Sequence, residues 1–208
     1  MKKKILVACL CVALAVLTIA GTTLAYLTSQ DTVTNTFTVG NVSITLDEAK
    51  VNPDGTLVYK EDGQTLADRV DSNTYKLIPG HTYTKDPTVH VDANSENSWI
   101  FVKVENGISV FEAVTVAGGY TAIAGQITAN GWTALVGVEN VYYKEYTTKT
   151  VQDNLAVFQN FQIADEANSN SNWENFNGTV TVTAYAVQKD GFNTASNAWA
   201  ATFGKTTT

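Results

Sequence analysis

Apolar residues alternate with threonine and other polar residues in many short stretches of this chain. The longest stretch is residues 27–39, in which every even position is polar. Its apolar residues all fall on odd positions: Leu27, Val33, Phe37 and Val39. Because successive side chains of a strand point to opposite faces, this spacing predicts an extended ribbon with one apolar side.

The same period of two predicts shorter strands after a change of phase at Gly40-Asn41. These strands cover residues 42–46, 57–59, 76–78, 88–92, 99–105, 141–146, 155–163 and 179–188. The residues predicted to face inward are Val89, Val91, Ile100, Val102, Val104, Val180, Val182, Ala184 and Ala186. Residues 47–73 are polar and acidic, and turn motifs within them predict a hairpin plus a surface loop. Asn177-Gly178 predicts a tight turn before the last strand.

Two segments have helical features. Ile123 and Ile127 lie four positions apart, Thr121 is a predicted N-cap, and Asn130-Gly131 is a predicted stop. We predict a second short helix over residues 196–203, which packs Trp199 against the domain.

About ten short strands without a β-α-β alternation predict an all-β fold. We expect a two-sheet antiparallel jelly-roll-like sandwich with one or two short helices. Residues 41–204 are assigned to this domain, and residues 205–208 to a frayed tail.

The first 25 residues have the features of an export signal. Three lysines at positions 2–4 precede an apolar run over residues 5–20, which is short for a stable bilayer span. We predict cleavage between Ala25 and Tyr26. Residues 26–40 then form the free start of a secreted protein of the extracellular matrix or cell surface.

Composition narrows the chemistry of the mature chain. Both cysteines, Cys9 and Cys11, lie in the signal, so the secreted part carries no disulfide or thiolate metal site. Loss of three lysines leaves 10 basic residues against 20 acids, a net charge near -10. Such acidity argues against a nucleic-acid partner.

Several motifs, in this order behind an export signal, resemble one family. They are Thr23-Leu24-Ala25-Tyr26-Leu27-Thr28-Ser29-Gln30-Asp31, Asn35-Thr36-Phe37-Thr38-Val39-Gly40-Asn41-Val42, Ile44-Thr45-Leu46-Asp47-Glu48, Leu77-Ile78-Pro79-Gly80, Lys85-Asp86-Pro87, Trp99-Ile100-Phe101-Val102-Lys103-Val104, Thr183-Ala184-Tyr185-Ala186-Val187-Gln188 and Ala198-Trp199. The chain resembles the exported TasA/camelysin (CalY) proteins of Gram-positive bacteria, which a SipW-type signal peptidase processes.

The resemblance implies a jelly-roll subunit of biofilm matrix fibres, in which the N-terminal strand of one molecule fills a groove in the next. An anchoring or accessory matrix protein is a candidate partner, and the sequence leaves this point open. The residue pattern permits this assembly, because a terminal ribbon with one apolar face can add to a sheet edge of another molecule. Leu27, Val33, Phe37 and Val39 are the expected donor-strand contacts.

Two points about this assembly stay open in the sequence. The ribbon can instead pair within its own domain as an ordinary first strand. The groove walls are also undecided, because Ile100, Val102, Val180 and Val182 are candidates for the walls and equally for plain core.

A zinc metallopeptidase is the rival interpretation, because camelysin-like members have been classed as such. The chain has two histidines, His81 and His90, and no His-Glu-x-x-His motif. A three-ligand zinc site therefore needs both histidines and a distant carboxylate. We predict surface or hydrogen-bonded histidines, no catalytic residues and no metal cofactor.

Two further interpretations concern acids and tryptophans. The pairs Asp47-Glu48 and Glu61-Asp62 are expected to be solvated loop charges, with calcium binding in residues 47–71 as the alternative. A carbohydrate-binding jelly roll would use an aromatic platform, for which the chain offers Trp99, Trp132, Trp173 and Trp199. Tryptophans in a β-sandwich more often pack in the core or at its rim.

Overall fold

A computed structural model describes residues 41–114 and 121–204, all within one compact unit. The strands of this part of the chain are β1 (Ile44–Asp47), β2 (Thr82–Thr84), β3 (Thr88–Val91), β4 (Ser98–Asn106), β5 (Thr133–Ala134), β6 (Val141–Tyr146), β7 (Asp153–Ala156), β8 (Asn160–Gln162) and β9 (Val180–Gln188). The helices are α1 (Ile123–Ala129), α2 (Ala195–Thr202) and a 3-10 turn at Ala167–Ser169.

The strands form three antiparallel sheets. The first has the order β1-β3-β7, the second pairs β2 with β8, and the third has the order β5-β6-β4-β9. The predicted all-β sandwich with short helices is confirmed. Among the residues described, no helix combines the length and apolar character needed to cross a bilayer.

Strand β4 is buried on both of its faces. Ile100, Val102 and Val104 enter a main core that also holds Val89 and Val91 of β3. The inward direction predicted for these five residues is thus confirmed. The side chains of Val180, Val182, Ala184 and Ala186 on β9 pack against the same core, also as predicted.

The other face of β4 was not recognised from the sequence. Trp99 and Phe101 enter a second cluster, the outer core, with Ala198 and Trp199 of α2. Phe101 is fully buried, and its ring centroid lies 5.2 Å from that of Trp199. The sandwich therefore carries a third layer, in which α2 covers the outer face of the four-stranded sheet.

The predicted helices exist with shifted ends. Thr194 caps α2, since the backbone N–H of Asn197 donates to Thr194 Oγ1 over 3.2 Å. The cap predicted for α1 was wrong, because the N–H of Ile123 donates to Glu112 Oε1 at 2.8 Å instead. The stop of α1 is confirmed, with Gly131 in the left-handed region at φ +80°.

The strand predicted over residues 76–78 is wrong. The hydroxyl of Tyr83 accepts from the N–H of Ile78 and donates to the carbonyl of Lys76, both over 2.7 Å. A buried side chain therefore takes the place of a neighbouring strand, and the ladder forms later, in β2.

The single strand predicted over residues 155–163 is divided between two sheets. β7 pairs with β3, whereas β8 pairs with β2. Val157 and Phe158 lie between the two strands and are fully buried. A continuous apolar run cannot reveal where a chain leaves one sheet for another.

The tight turn predicted at Asn177-Gly178 is also misplaced, because the turns lie at residues 171–175. A Cβ at Gly178 would lie 2.6 Å from the carbonyl oxygen of Gly107, and Gly107 donates its N–H to Thr179 over 2.8 Å. Glycine is required here by a close backbone crossing at the start of β9.

We expect Phe101→Ala to lower the free energy of unfolding by about 3–5 kcal/mol, because it empties the centre of the outer core. Val136→Ala is the matched control, since Val136 is 90 % exposed, and its effect should stay within about 0.5 kcal/mol. Urea unfolding of both variants gives the comparison. Equal stabilities would show that α2 contributes little to the fold.

Candidate functional site

A groove with a cavity volume of about 860 Å³ runs between β1 and β9. Three groups of residues line it: the end of β1 with both ends of the acidic loop and the residues that follow this loop (Leu46, Asp47, Glu48, Asp71, Ser72, Asn73, Thr74, Tyr75, Leu77, Lys85 and Pro87), two residues of the main core (Ile108 and Phe161), and the approach to β9 with its first residues (Trp173, Glu174, Phe176, Asn177, Gly178, Thr179, Val180, Thr181 and Val182). We call this cavity the edge groove.

The two strands beside the edge groove are edge strands. Within residues 41–114 and 121–204, β9 pairs with β4 alone and β1 with β3 alone. The nine residues of β9 therefore present one side of their backbone without a ladder partner from the described chain. Such an edge is a template for an added strand.

The floor of the edge groove is apolar and continuous with the main core. The floor side chains are only partly buried, although they pack on buried residues of the main core. These floor residues are Leu46, Tyr75, Leu77, Trp173, Phe176, Val180 and Val182. Apolar surface that joins a core and stays accessible in a concave site is typical of a binding site.

The structure separates the four candidate wall residues. Val180 and Val182 line the edge groove, whereas Ile100 and Val102 are completely buried in the main core. Sequence alternation could not distinguish them, because both strands have the same pattern and only strand order places β9 at an edge.

An aromatic cluster in the floor of the edge groove was missed in the sequence. The rings of Trp173 and Phe176 are parallel, with an interplanar angle of 12° and centroids 6.4 Å apart. Phe111 contacts both rings edge-on at 5.2 and 4.7 Å. The spacing of three between Trp173 and Phe176 was the one signal available.

The acidic loop at the mouth of the groove is anchored by Arg69, the single arginine of the sequence. Arg69 forms ion pairs with Asp47 and, at 2.9 Å, with Asp86. Asp47 also accepts a hydrogen bond from Nε2 of His90 at 2.8 Å. Burial raises the pKa of Asp47, but its bonds to Arg69 and His90 outweigh burial and hold that pKa below 3.8.

Glu48 contradicts the expectation of solvated charge for the pair Asp47-Glu48. It is 4 % exposed, and its two oxygens contact Lys85 Nζ at 2.5 Å and Asn73 Nδ2 at 2.9 Å. A buried charge needs such partners, because its removal from water is costly. The partners come from distant positions, so the sequence carried no local signal for them.

The second acidic pair behaves differently. Glu61 is exposed, and Asp62 accepts hydrogen bonds from the backbone of Gln64 and Thr65 within a turn. The predicted hairpin is present in part, as isolated bridges between Val51 and Leu57 and between Tyr59 and Leu66. Calcium binding in residues 47–71 stays a prediction.

The histidines do not fit a zinc site. Both ring nitrogens of His90 are engaged, Nδ1 with Asn154 at 2.6 Å and Nε2 with Asp47. Nε2 of His81 lies 2.8 Å from the carbonyl oxygen of Asp54. In the part of the chain that the structure describes, no group of three or more His, Cys, Asp or Glu residues could hold a metal ion. The hydrogen bonding predicted for the histidines is confirmed; the absence of a cofactor stays a prediction.

The tryptophans do not form a common surface platform. Trp99, Trp132 and Trp199 are at least nine-tenths buried, as expected for packing residues. Trp173 alone among the four belongs to the edge groove.

The predicted donor and cleavage residues lie outside the described part of the chain. These residues are Ala25, Tyr26, Leu27, Val33, Phe37 and Val39. Their roles stay predictions.

Within the described residues, fold and groove together define an all-β sandwich with an apolar groove beside an edge strand. Residues 1–54 match the family model described as camelysin metallo-endopeptidase. The match covers 54 of the 208 residues of the chain. The resemblance to the camelysin family is thus confirmed over the N-terminal part of the chain. No curated protein matches the chain, and no solved structure matches it.

The pKa of Asp47 leads to a pH dependence of the loop anchor. A carboxyl group whose folded pKa is depressed contributes stability above its unfolded pKa, and loses it as pH falls through the folded value. We therefore expect hydrogen exchange at the amides of Glu48 and Val70, which bond each other's carbonyls, to accelerate as pH falls from about 5 to about 3, after correction for intrinsic rates.

Asp47→Asn is the control for this prediction, because it removes the titrating group and keeps a hydrogen-bonding side chain of similar size. The acid-dependent acceleration should be smaller in this variant, while the amides of β4 should behave alike in both proteins. An unchanged acceleration in Asp47→Asn would assign the effect to another carboxylate.

Proposed function

We propose that this protein is a secreted structural subunit of extracellular biofilm matrix fibres. The N-terminal ribbon of one molecule, residues 27–39, occupies the edge groove of the next. The observation that supports this proposal is the apolar floor of the edge groove, which joins the main core beside an edge of β9 that no strand of residues 41–114 or 121–204 pairs. An added strand would cover that floor and complete the sheet.

The dimensions of the two partners agree. At about 3.4 Å per residue, the nine residues of β9 extend about 30 Å. The thirteen residues of the ribbon can extend about 44 Å, so the ribbon is long enough to follow the whole strand. Phe37 and Val39 are two residues apart, as are Val180 and Val182 on the floor of the edge groove, which suits side chains stacked at the same period.

Removal of the signal supplies a trigger for assembly. In the proposal, a SipW-type signal peptidase cuts after Ala25 and frees the ribbon with Tyr26 at its start. Because residues 27–39 supply the ribbon and residues after them line the groove, each contact would leave one groove and one ribbon free, and a filament would grow. An accessory matrix protein would anchor or cap its ends.

The match to the camelysin family model covers the segments that this proposal uses for export and strand donation. Residues 1–54 contain the predicted export signal, the predicted ribbon and β1, which forms one border of the edge groove. We propose no peptidase activity for the chain, because His81 and His90 are bonded to different partners and do not converge on one site.

The first test compares chains that begin at Tyr26 and at Thr36. We expect fibres from the longer chain and at least about tenfold fewer from the shorter one, a loss of about 1.4 kcal/mol or more per contact. Electron microscopy and sedimentation provide the measurements. Thr36→Asp, on the polar face of the ribbon, should keep assembly, whereas Phe37→Asp should abolish it. Fibres from the chain that begins at Thr36 would refute donation by the ribbon.

The second test places a charge in the acceptor. Val182→Lys puts an ammonium group on the apolar floor, where it lacks a partner, and we expect fibre yield to fall at least about tenfold. Val136→Lys is the matched control, because Val136 is exposed away from the groove lining. Circular dichroism must show both variants folded. Normal fibres from folded Val182→Lys would place the acceptor elsewhere.

A further inference from the structure

Three side chains from distant parts of the chain meet at the mouth of the edge groove. Lys85 Nζ lies 2.5 Å from Glu48 Oε2, and Asn73 Nδ2 lies 2.9 Å from Glu48 Oε1. One carboxylate therefore contacts an amine and a carboxamide at the same time. Glu48 follows β1, Asn73 ends the acidic loop, and Lys85 connects β2 to β3.

The surroundings of this triad are poorly solvated. The side chains of Glu48 and Lys85 are 5 % and 12 % exposed, and the ring of Tyr75 lies 6.0 Å from Lys85 Nζ. Burial and the nearby negative charges of Glu48 and Asp86 raise the pKa of the Tyr75 hydroxyl.

The carboxamide of Asn73 is held on all sides. Its Oδ1 accepts from the N–H of Val51 at 3.0 Å, and its Nδ2 also donates to the carbonyl of Ala49 at 2.9 Å. The N–H of Val51 polarises the carbonyl and would stabilise negative charge that develops on Oδ1 during attack by a nucleophile.

We propose that Lys85 and Asn73 form an intramolecular isopeptide bond, with Glu48 as the catalytic residue that moves the protons. Nothing in the edge-groove assembly is needed for this reaction, so the proposal stands apart from the proposed function.

The reaction balances without a co-reactant. Lys85 first gives one proton to Glu48. The flexible lysine side chain then moves the neutral amine from Oε2 of Glu48 to the amide carbon of Asn73, and the lone pair of Nζ attacks Cγ. Glu48 then protonates Nδ2, which it already contacts, and takes the second proton from Nζ. The Cγ–Nδ2 bond breaks, ammonia leaves, and an Nζ–Cγ amide remains.

Such a bond suits a secreted chain without cysteine. Both cysteines lie before the predicted cleavage site, so a disulfide cannot fasten the acidic loop after export. A covalent link between residues 73 and 85 would close a short ring and restrict the unfolded chain, as a disulfide does.

Mass spectrometry of the purified full chain tests the proposal. Once its N-terminus is identified, we expect the intact mass to be about 17 Da below the sequence value, the mass of one ammonia. Cleavage by trypsin after lysine and arginine should yield residues 70–76 joined to residues 77–103, with Lys85 uncleaved. Separate peptides 70–76, 77–85 and 86–103 would overturn the proposal.

Two controls separate this bond from other losses of ammonia. A succinimide at another asparagine also lowers the mass by about 17 Da, but it joins no peptides and survives Lys85→Arg. Lys85→Arg and Glu48→Gln should show the full mass and no joined peptide, whereas Lys149→Arg at an exposed ion pair should keep the link. Circular dichroism checks that the variants fold. A joined peptide in folded Glu48→Gln would show that Glu48 is not needed for proton transfer in this reaction.

Discussion

The burial of β4 on both faces is the constraint on which the rest of the structure depends. Its even residues Ile100, Val102 and Val104 belong to the main core, and its odd residues Trp99 and Phe101 belong to the outer core. A strand with two apolar faces must lie inside its sheet and between two other layers. β6 and β9 therefore flank it in the sheet, and α2 covers its outer face.

The position of β9 follows from that arrangement and creates the edge groove. β9 pairs with β4 along nine residues, and its other edge faces the groove beside β1. Its inward residues Val180 and Val182 touch the main core but remain partly exposed. Among the described residues, part of the main core thus stays accessible in the edge groove, and covering this apolar surface with a further segment would be favourable.

Polar contacts hold the acidic loop at the mouth of the groove. Arg69 joins Asp47 to Asp86, and Glu48 joins Asn73 to Lys85. Each contact ties a loop residue to the ends of β1 or to the connection between β2 and β3. The acidic loop has few buried apolar residues, so these hydrogen bonds and ion pairs fix its conformation. In the two cores, the packing of apolar side chains has that role.

The sequence by itself determined the all-β class, the inward residues of β3, β4 and β9, and both short helices, because these depend on local periodicity. Tertiary structure decided that Val182 lines a groove while Val102 is core, that residues 155–163 divide between two sheets, and that Glu48 meets Lys85 and Asn73. These outcomes depend on strand order and on contacts between residues 25 to 37 positions apart, which a local pattern of apolar and polar residues does not encode.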